Sequence, residues 1–433
     1  MSASSSPAID PALDRELDQI QRDSFAYFVD HTSAANGLIP DSSRTGSACS
    51  IATVGFGLSA YAVGVKRGWM TREAAAANTL KVLRFFQSSD QSEAPDATGH
   101  KGFYYHFLDM QSGRRVVPCE LSVIDSSLLI AGMLCAAQFF DADSAEEREI
   151  REIADTLYRR ADWIWALDQR KTVAMGWKPE CGFLNYSWDG YSEATIVYVL
   201  GLGSPTHPLP EACYTARIAT YQWENLYGYE YLHAGPLFIH QFSHLWIDFR
   251  GIQDAFMRSM ASDYFENSRR ATHVQREYAI RNPGGFRGYH GNGWGLSAGE
   301  GPGPQTHRVD GVDKTFLGYS ARGVPYGPDD GTLAPWAALA SLPFAPEIVL
   351  PMLAHWREAH PGTLSEICRT SFNRSVLDEA PRGWVPEGAF GLELGPLVLM
   401  IENYRCGFPW SLMRRSPHLV RGLRRCDFKG GWL

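Results

Sequence analysis

The chain has 433 residues, of which 45% are hydrophobic and 20% are charged, a balance that is typical of a folded globular protein and excludes a largely disordered one. Its 48 acidic and 40 basic residues give a formal net charge of −8, and no run of Lys and Arg is long enough for a nucleic-acid surface, so no polyanionic partner is expected. No stretch approaches about 18 consecutive apolar residues, so no membrane association is expected either.

The N-terminal residues 1–11 are predicted to be a disordered tail, and residues 12–433 a single domain, because nothing between the ends resembles a flexible linker. Asp10 followed by Pro11 is a typical helix start, with an N-cap residue before a proline. The first residues contain neither a basic region nor an apolar one, so no signal peptide and a cytoplasmic location are expected. A periplasmic location would require a leader removed before Met1.

Apolar residues at helical spacing, separated by Gly- or Pro-marked loops, predict about a dozen helices along the chain. In chain order they are a helix from residue 10, then 51–65, 71–86, 122–140, 144–167, 193–202, 236–249, 255–281, 333–342, 346–360 and 393–404. Strand signals are few, and the clearest of them predicts a hairpin from segments 102–107 and 114–117.

Helices that are apolar on every side alternate with amphipathic ones in this series. This alternation predicts an all-α fold, an (α/α)6 barrel of two concentric rings; an α-solenoid is the alternative, but no fixed-period repeat supports it. Three long connections, 171–192, 203–235 and 282–332, are rich in Gly, Pro, Trp, Tyr and Asn. Since loops of this length usually have a function, we expect them to form an aromatic-rich cleft at one rim of the barrel.

Acidic residues stand at the loop ends of two apolar helices. An aromatic-rich loop delivers Asp189 and Glu193 to the start of one such helix, and Glu393 begins another. A carboxylate at a helix start complements the helix dipole, but among aromatic groups it also has the setting that raises its pKa and makes a general acid. Two carboxylates that face each other across a cleft are what hydrolysis of a glycosidic bond requires.

Further candidate residues lie near other helix starts and in the loops. Asp125 is the only charged residue of an apolar helix and is either a substrate-binding group or an N-cap. The Gly-rich loop 293–303 holds Trp294 and Glu300; it lacks the strand, the Lys and the spacing of a phosphate-binding loop, so it is predicted to line the cleft.

His240 and His244 are four residues apart, a spacing that on a helix can bind zinc. Gln241 replaces the Glu of the metalloprotease motif, so we expect no metal and no cofactor here. Histidines on apolar helices usually make structural hydrogen bonds, and contacts of His240 and Gln241 with substrate hydroxyl groups are preferred to metal binding.

Seven segments between about residues 120 and 405, taken together and in this order, resemble the glucoamylase-like domain family. They are IDSSLLIAG, SWDGYSEATIVYVLGLGSPTHP, GPLFIHQFSHLWIDFRG, DYFENSRRAT, WGLSAGEGP, DGTLAPWAALASLPFAPE and GLELGPLVLMIENYR. The family includes the endo-β-1,2-glucanases of glycoside hydrolase family 144 and, more distantly, the cyclisation domains of cyclic β-1,2-glucan synthases.

The resemblance implies an (α/α)6 barrel that hydrolyses β-1,2-glucan (sophoro-oligosaccharides) with inversion at the anomeric carbon. It implies that Glu193, in the Tyr-x-Glu step, is the general acid and that Glu393 is the base, at a position that is often Asp in relatives. Retaining relatives carry a Glu where this chain has Ala298, which favours inversion, although Glu300 two residues on leaves transglycosylation as an alternative.

The resulting hypothesis is that the glucan stacks on aromatic side chains and is held by two further acids. The stacking residues are Trp188, Trp294 and Tyr191, and the acids are Asp125 and Asp189. The alternatives are an exo-acting or transglycosylating enzyme on the same glucan, and a non-catalytic glucan-binding protein.

Overall fold

The computed structural model describes residues 10–376 and 383–433. Most of the predicted N-terminal tail, residues 1–9, lies outside the described residues. The first helix begins at Pro11, and the Asp10 side chain accepts a hydrogen bond from the backbone N–H of Ala12 at 3.1 Å. This confirms the predicted helix start.

The structure is helix-rich, which confirms the all-α class. Its α-helices are α1 (Pro11–Asp30), α2 (Ile51–Lys66), α3 (Arg72–Ser88), α4 (Val123–Phe139), α5 (Ala145–Arg160), α6 (Trp163–Leu167), α7 (Thr195–Gly203), α8 (Glu211–Ile218), α9 (Ala255–Ser259), α10 (Tyr264–Arg281), α11 (Pro335–Ala340), α12 (Pro346–Ala359), α13 (Leu364–Cys368), α14 (Gly391–Cys406), α15 (Phe408–Met413) and α16 (Pro417–Arg425), with 3₁₀ helices η1 (Leu237–His240) and η2 (Phe242–Leu245). None of the helices in the described parts of the chain has the length and apolar character needed to cross a membrane.

The strands are short and antiparallel, and they lie in the connections between helices. They are β1 (Cys49–Ser50), β2 (Gly99–His100), β3 (Phe103–Tyr105), β4 (Phe107–Leu108), β5 (Leu121–Ser122), β6 (Gly176–Lys178), β7 (Gly182–Phe183), β8 (Trp223–Leu226), β9 (Tyr229–Leu232), β10 (Ala298–Gly299), β11 (Gln305–Val309), β12 (Val312–Phe316), β13 (Ser320–Ala321), β14 (Thr332–Leu333) and β15 (Phe372–Asn373). The largest sheet has the order β2-β3-β5-β6-β7. A bridge between Leu108 and Arg115 closes the predicted hairpin, although its first strand is split in two.

Four apolar helices, α2, α4, α7 and α14, lie in the core, and amphipathic helices cover them. Helix α2 packs against α4 and α14, and α4 packs against α7. On the outside, α1 covers α14, α5 covers α4, and α16 covers α7. The backbones of α2 and α4 meet at two glycines: a Cβ on Gly132 would lie 2.1 Å from the carbonyl oxygen of Gly55. The predicted alternation of buried and covering helices is therefore present.

Three predicted helices differ from the structure. Segment 144–167 is divided into α5 and α6, because Asp162 caps a new helix by accepting a hydrogen bond from the Trp165 N–H at 3.0 Å. Segment 255–281 is divided, because Ala261 has a positive φ of 49° that ends α9 and Asp263 caps a new helix by accepting a hydrogen bond from the Glu266 N–H. Segment 236–249 is not one α-helix but the two 3₁₀ turns η1 and η2, separated at Gln241.

One hydrophobic core runs through the helices, and a small second cluster of Val309, Phe316 and Val376 packs with Trp384 under the β11–β12 hairpin. The division into a tail and a single domain of residues 12–433 stays a prediction.

Candidate active site

A cavity of about 600 Å³ lies where the loop ends of the buried helices meet. The acidic residues that line it are Asp41, Glu120, Asp125, Glu193, Glu300 and Glu393. Its aromatic lining residues are Phe107, Trp188, Phe238, Phe242, Tyr319, Trp336 and Phe390. Two of the three long connections, 171–192 and 282–332, contribute to this lining, and 203–235 contributes no residue to it.

Glu193 lies just before α7, and hydrogen bonds to Ser243 hold the backbone there. The Ser243 hydroxyl donates to the carbonyl oxygen of Glu193 at 2.7 Å and accepts from the Ile196 N–H at 3.1 Å. Burial raises the pKa of the Glu193 carboxyl from 4.5 to about 7, and the negative charge of Asp125 raises it too, while Arg217 lowers it. A carboxyl with this pKa is partly protonated at neutral pH, as a general acid must be.

Arg217, which is fully buried, supports the same turn of chain. Its Nη2 donates to the carbonyl oxygen of Ser192 at 3.1 Å and to the Thr195 hydroxyl at 3.2 Å, one on each side of Glu193. Its guanidinium lies over the Tyr198 ring at 5.0 Å. The cation therefore both fixes the backbone that carries Glu193 and favours the ionised form of that carboxyl.

Glu393 lies in the first turn of α14 and is only 4% exposed. Its Oε1 packs against the backbone of Gly299, where a Cβ would come within 3.1 Å of it, and its Oε2 has no hydrogen-bond partner among the described residues. Burial raises the pKa of Glu393 well above 4.5, and the carboxylates of Glu300 and Asp41 raise it further, whereas a hydrogen bond from Ser371 lowers it.

Three carboxyl groups, those of Asp41, Glu300 and Glu393, thus share one end of the cavity. Burial also raises the pKa of Asp41, and Asp125 and Glu300 add to that effect, while His106 and Arg44 oppose it. Arg44 donates to Glu300 at 3.1 Å and to the carbonyl oxygen of Glu387 at 2.9 Å. The raised pKa values of Asp41 and Glu393 are what burial beside other carboxyl groups produces.

His106 lies between two further carboxylates. Its Nδ1 is 3.0 Å from Glu120 Oε1 and its Nε2 is 3.7 Å from Asp125 Oδ2. Burial lowers the pKa of His106, but Asp125, Glu120 and Asp41 raise it to about 9, so the ring is a cation at neutral pH. Ser122, not Asp125, caps α4, and its hydroxyl donates a short hydrogen bond to Asp125 Oδ2. Asp125 is therefore not the N-cap of α4, and it lines the cavity.

The predicted site residues divide into two groups. Glu193, Glu393, Asp125, Trp188 and Glu300 all line the cavity. Five others are not part of the cavity lining: Asp189, Tyr191, Trp294, His240 and Gln241.

The reason for this difference is where the side chains point. Trp294 is fully buried in the core, and Asp189 is exposed on the outer surface. His240 lies 3.1 Å from the carbonyl oxygen of Ala234 and 3.4 Å from the Tyr191 hydroxyl. The Gln241 amide donates to the carbonyl oxygen of Ala337 at 2.6 Å.

Zinc binding by His240 and His244 is not indicated. They lie on separate 3₁₀ turns, and His244 contacts Ser268 at 3.1 Å. No cluster of three His, Cys, Asp or Glu side chains within residues 10–376 and 383–433 is arranged to hold a metal ion.

Sequence reasoning missed Asp41, His106, Glu120 and Tyr319. Their only local signal is a polar residue next to an apolar or aromatic run, as His106 within the segment GFYYHF. Such a signal is too common to identify a site.

Comparison with known proteins shows the family to which the chain belongs. The model of the family Glycoamylase, described as "Putative glucoamylase", matches residues 185–417, more than half of the chain, and the chain belongs to this family. It is 27% identical, over 98% of its length, to the exo β-1,2-glucooligosaccharide sophorohydrolase (non-reducing end) of Parabacteroides distasonis, and it spans 59% of that relative's length.

Two solved structures resemble the whole chain. A crystal structure from Bacteroides uniformis with the same "putative glucoamylase" description has a TM-score of 0.85 and 29% identity, covering 98% of this chain and all of the other. The endo-β-1,2-glucanase of Chitinophaga pinensis, in complex with sophorotriose and glucose, has a TM-score of 0.82 and 25% identity, again covering 98% and 100% of the two chains.

Proposed function

We propose that this chain is a glycoside hydrolase that cleaves β-1,2-linked glucan with inversion, using Glu193 as the general acid and Glu393 as the base. The observation that carries the proposal is that these two residues, far apart in the sequence, line one cavity together with aromatic side chains. The same proposal includes the (α/α)6 barrel, in which the four buried helices belong to the inner ring and the cavity opens at one rim.

The named relatives support β-1,2-gluco-oligosaccharides as the substrate class, since one is a sophorohydrolase and the other an endo-β-1,2-glucanase. Aromatic rings such as those of Trp188 and Trp336 can stack on the C–H faces of glucosyl units in the cavity. The two relatives differ in mode of attack, and the sophorohydrolase supports the exo-acting alternative. Product analysis separates them: an exo-enzyme releases one disaccharide from the start, and an endo-enzyme a range of oligosaccharides.

In this mechanism protonated Glu193 donates a proton to the leaving glycosidic oxygen while Glu393 accepts a proton from the attacking water. Glu393 must then be ionised, although its neighbours are acidic. Asp41 is a neighbouring carboxyl group whose pKa burial also raises, so it can take up the proton that Glu393 must lose. The proposal therefore places that proton on Asp41 when a glucan is bound.

Replacement of the two carboxyl groups tests the assignment. Glu193→Gln and Glu393→Gln are each expected to reduce the release of reducing ends from β-1,2-glucan by about 10³-fold or more. With a nitrophenyl sophoroside, whose leaving group needs no proton, Glu193→Gln should retain much of its activity and Glu393→Gln should not.

Asp189→Asn is the matched control, because Asp189 belongs to the same loop but lies outside the cavity lining and should tolerate the change. A near-normal rate in Glu193→Gln would contradict the mechanism, and selective survival of Glu393→Gln on the aryl substrate would reverse the two roles. NMR of the first sugar released should show the α-anomer. Tight glucan binding with no new reducing ends would instead favour the non-catalytic alternative.

A further inference from the structure

Tyr319 stands at the mouth of the cavity, on the short loop between β12 and β13. Its side chain is 67% exposed although it belongs to the cavity lining. Four carboxyl groups act electrostatically on its phenol. In decreasing order of this effect they are Asp41, Glu393, Asp125 and Glu300. The side chain makes no hydrogen bond and no aromatic contact with any residue of the described ranges.

The backbone that carries Tyr319 is, by contrast, firmly held. Arg322 and Asp330 form a fully buried ion pair at 2.6 Å, with exposures of 1% and 0%. Arg322 donates to the carbonyl oxygen of Gly318 at 3.0 Å and to that of Ser320 at 3.4 Å, while Asp330 accepts from the Leu317 N–H at 2.8 Å. A buried ion pair with this many satisfied hydrogen bonds fixes the loop in one conformation.

The same ion pair connects Tyr319 to the proposed base. Arg322 Nη1 donates to the carbonyl oxygen of Gly299 at 2.9 Å, and Gly299 is the residue whose backbone packs against Glu393 Oε1. Strands β10 and β13 pair Gly299 with Ser320, the residue next to Tyr319. The backbone that carries Tyr319 is therefore fixed to the strand that packs against the Glu393 carboxyl.

A single exposed aromatic ring is common on protein surfaces, but this one lines a cavity and its backbone is held by a buried ion pair. A ring held there can pack on a ligand that also reaches the carboxyl groups, as in a preorganised binding site. A glucosyl unit fits, because its C–H face packs on the ring and its hydroxyl groups bond to the carboxyls.

We propose that Tyr319 is a substrate-binding residue: its ring covers the glucosyl unit that lies against Glu393, and its hydroxyl donates a hydrogen bond to a sugar hydroxyl. The identity of the sugar rests on the proposed function. The ordinary pKa of a tyrosine hydroxyl is about 10, so the Tyr319 hydroxyl remains a hydrogen-bond donor over the working range of pH.

Calorimetry with β-1,2-gluco-oligosaccharides tests this, using the full chain in the Glu193→Gln background so that binding is measured without hydrolysis. Tyr319→Ala should weaken binding by about tenfold or more, and Tyr319→Phe by a smaller factor. Tyr326→Ala is the control: Tyr326 is 70% exposed like Tyr319 but lies outside the cavity, beside the His233 ring at 5.4 Å.

Unchanged binding in Tyr319→Ala would overturn the inference while leaving the proposed function intact. Equal losses in Tyr319→Phe and Tyr319→Ala would overturn ring stacking, and no loss in Tyr319→Phe would overturn the hydrogen bond. If the unmodified chain binds the oligosaccharides but does not cleave them, and Tyr319→Ala weakens binding, the inference stands and the hydrolase proposal fails. If the chain does not bind them at all, both fail.

Discussion

Individual side chains in the cavity differ in charge because their neighbours differ. Burial raises the pKa of Glu193 to about 7, and Asp125 raises it too, whereas the buried cation Arg217 lowers it. Burial raises the pKa of Glu393 well above 4.5, and the acids Glu300 and Asp41 raise it further, with no cation among the main influences on it. These differences are set by burial and by single neighbours, not by the residue type.

The pH dependence of activity follows from the Glu193 pKa. A general acid is active when protonated, so with Glu393 ionised, as the proposed mechanism requires, kcat/KM should fall about tenfold per pH unit above pH 7. In Arg217→Met the carboxylate loses a stabilising cation, its pKa rises, and this basic limb should move to higher pH. A pH–rate series on the wild type and the variant measures the shift.

Arg84→Met is the control for that series, because it removes the same kind of cation. The exposed pair of Arg84 with Glu149 lies outside the cavity lining. A basic limb that stays in place in Arg217→Met would show that Arg217 has no electrostatic effect on the acid, even if the rate falls through loss of packing.

The secondary-structure elements place these side chains through close backbone contact. Helices α2 and α4 cross where Gly55 and Gly132 meet, and a Cβ on Gly55 would lie 2.4 Å from the Leu128 carbonyl oxygen. The absence of side chains there lets the helices pack closely enough to bring the Asp125 end of α4 to the cavity. Helix–helix distance is thus specified by two residues.

Gly132→Ala should lower the free energy of unfolding by about 2–4 kcal/mol, because the backbone of α2 must move away and the gain in helix propensity is smaller than this clash. Urea denaturation followed by circular dichroism measures the change. Gln138→Ala on the same helix, at a partly exposed position, should alter stability by less than about 0.5 kcal/mol. Equal stability of both variants would contradict the close crossing of α2 and α4.

At the scale of the whole molecule, the two ends of the chain cover the core. Helix α1 packs on α14 and α16 packs on α7. Arg67 at the end of α2 pairs with the buried Glu402 of α14 at 2.6 Å, and Gln21 of α1 reaches the same carboxylate at 3.2 Å. A distant part of the chain therefore supports each of the helices that carry Glu193 and Glu393.

A chain that ends at Ser416 should lose cooperative thermal unfolding, because removal of α16 exposes α7, all of whose residues are buried. Differential scanning calorimetry checks this. Gly422→Ala in the full chain is a milder version of the same change, since a Cβ there would come 1.8 Å from the Val199 carbonyl oxygen. A cooperative transition at the wild-type temperature in the truncated chain would show that α16 is not needed for the core.

The sequence by itself determined the helix-rich class, the family and the positions of Glu193 and Glu393 at the loop ends of apolar helices. These features depend on local spacing and on ordered motifs, which the chain carries residue by residue. Only the tertiary structure decided that Trp294 and Gln241 serve the core and that Asp41, His106 and Tyr319 belong to the cavity. An aromatic or polar residue in a long loop faces either the core or a cavity according to contacts with distant segments, and no local pattern records those contacts.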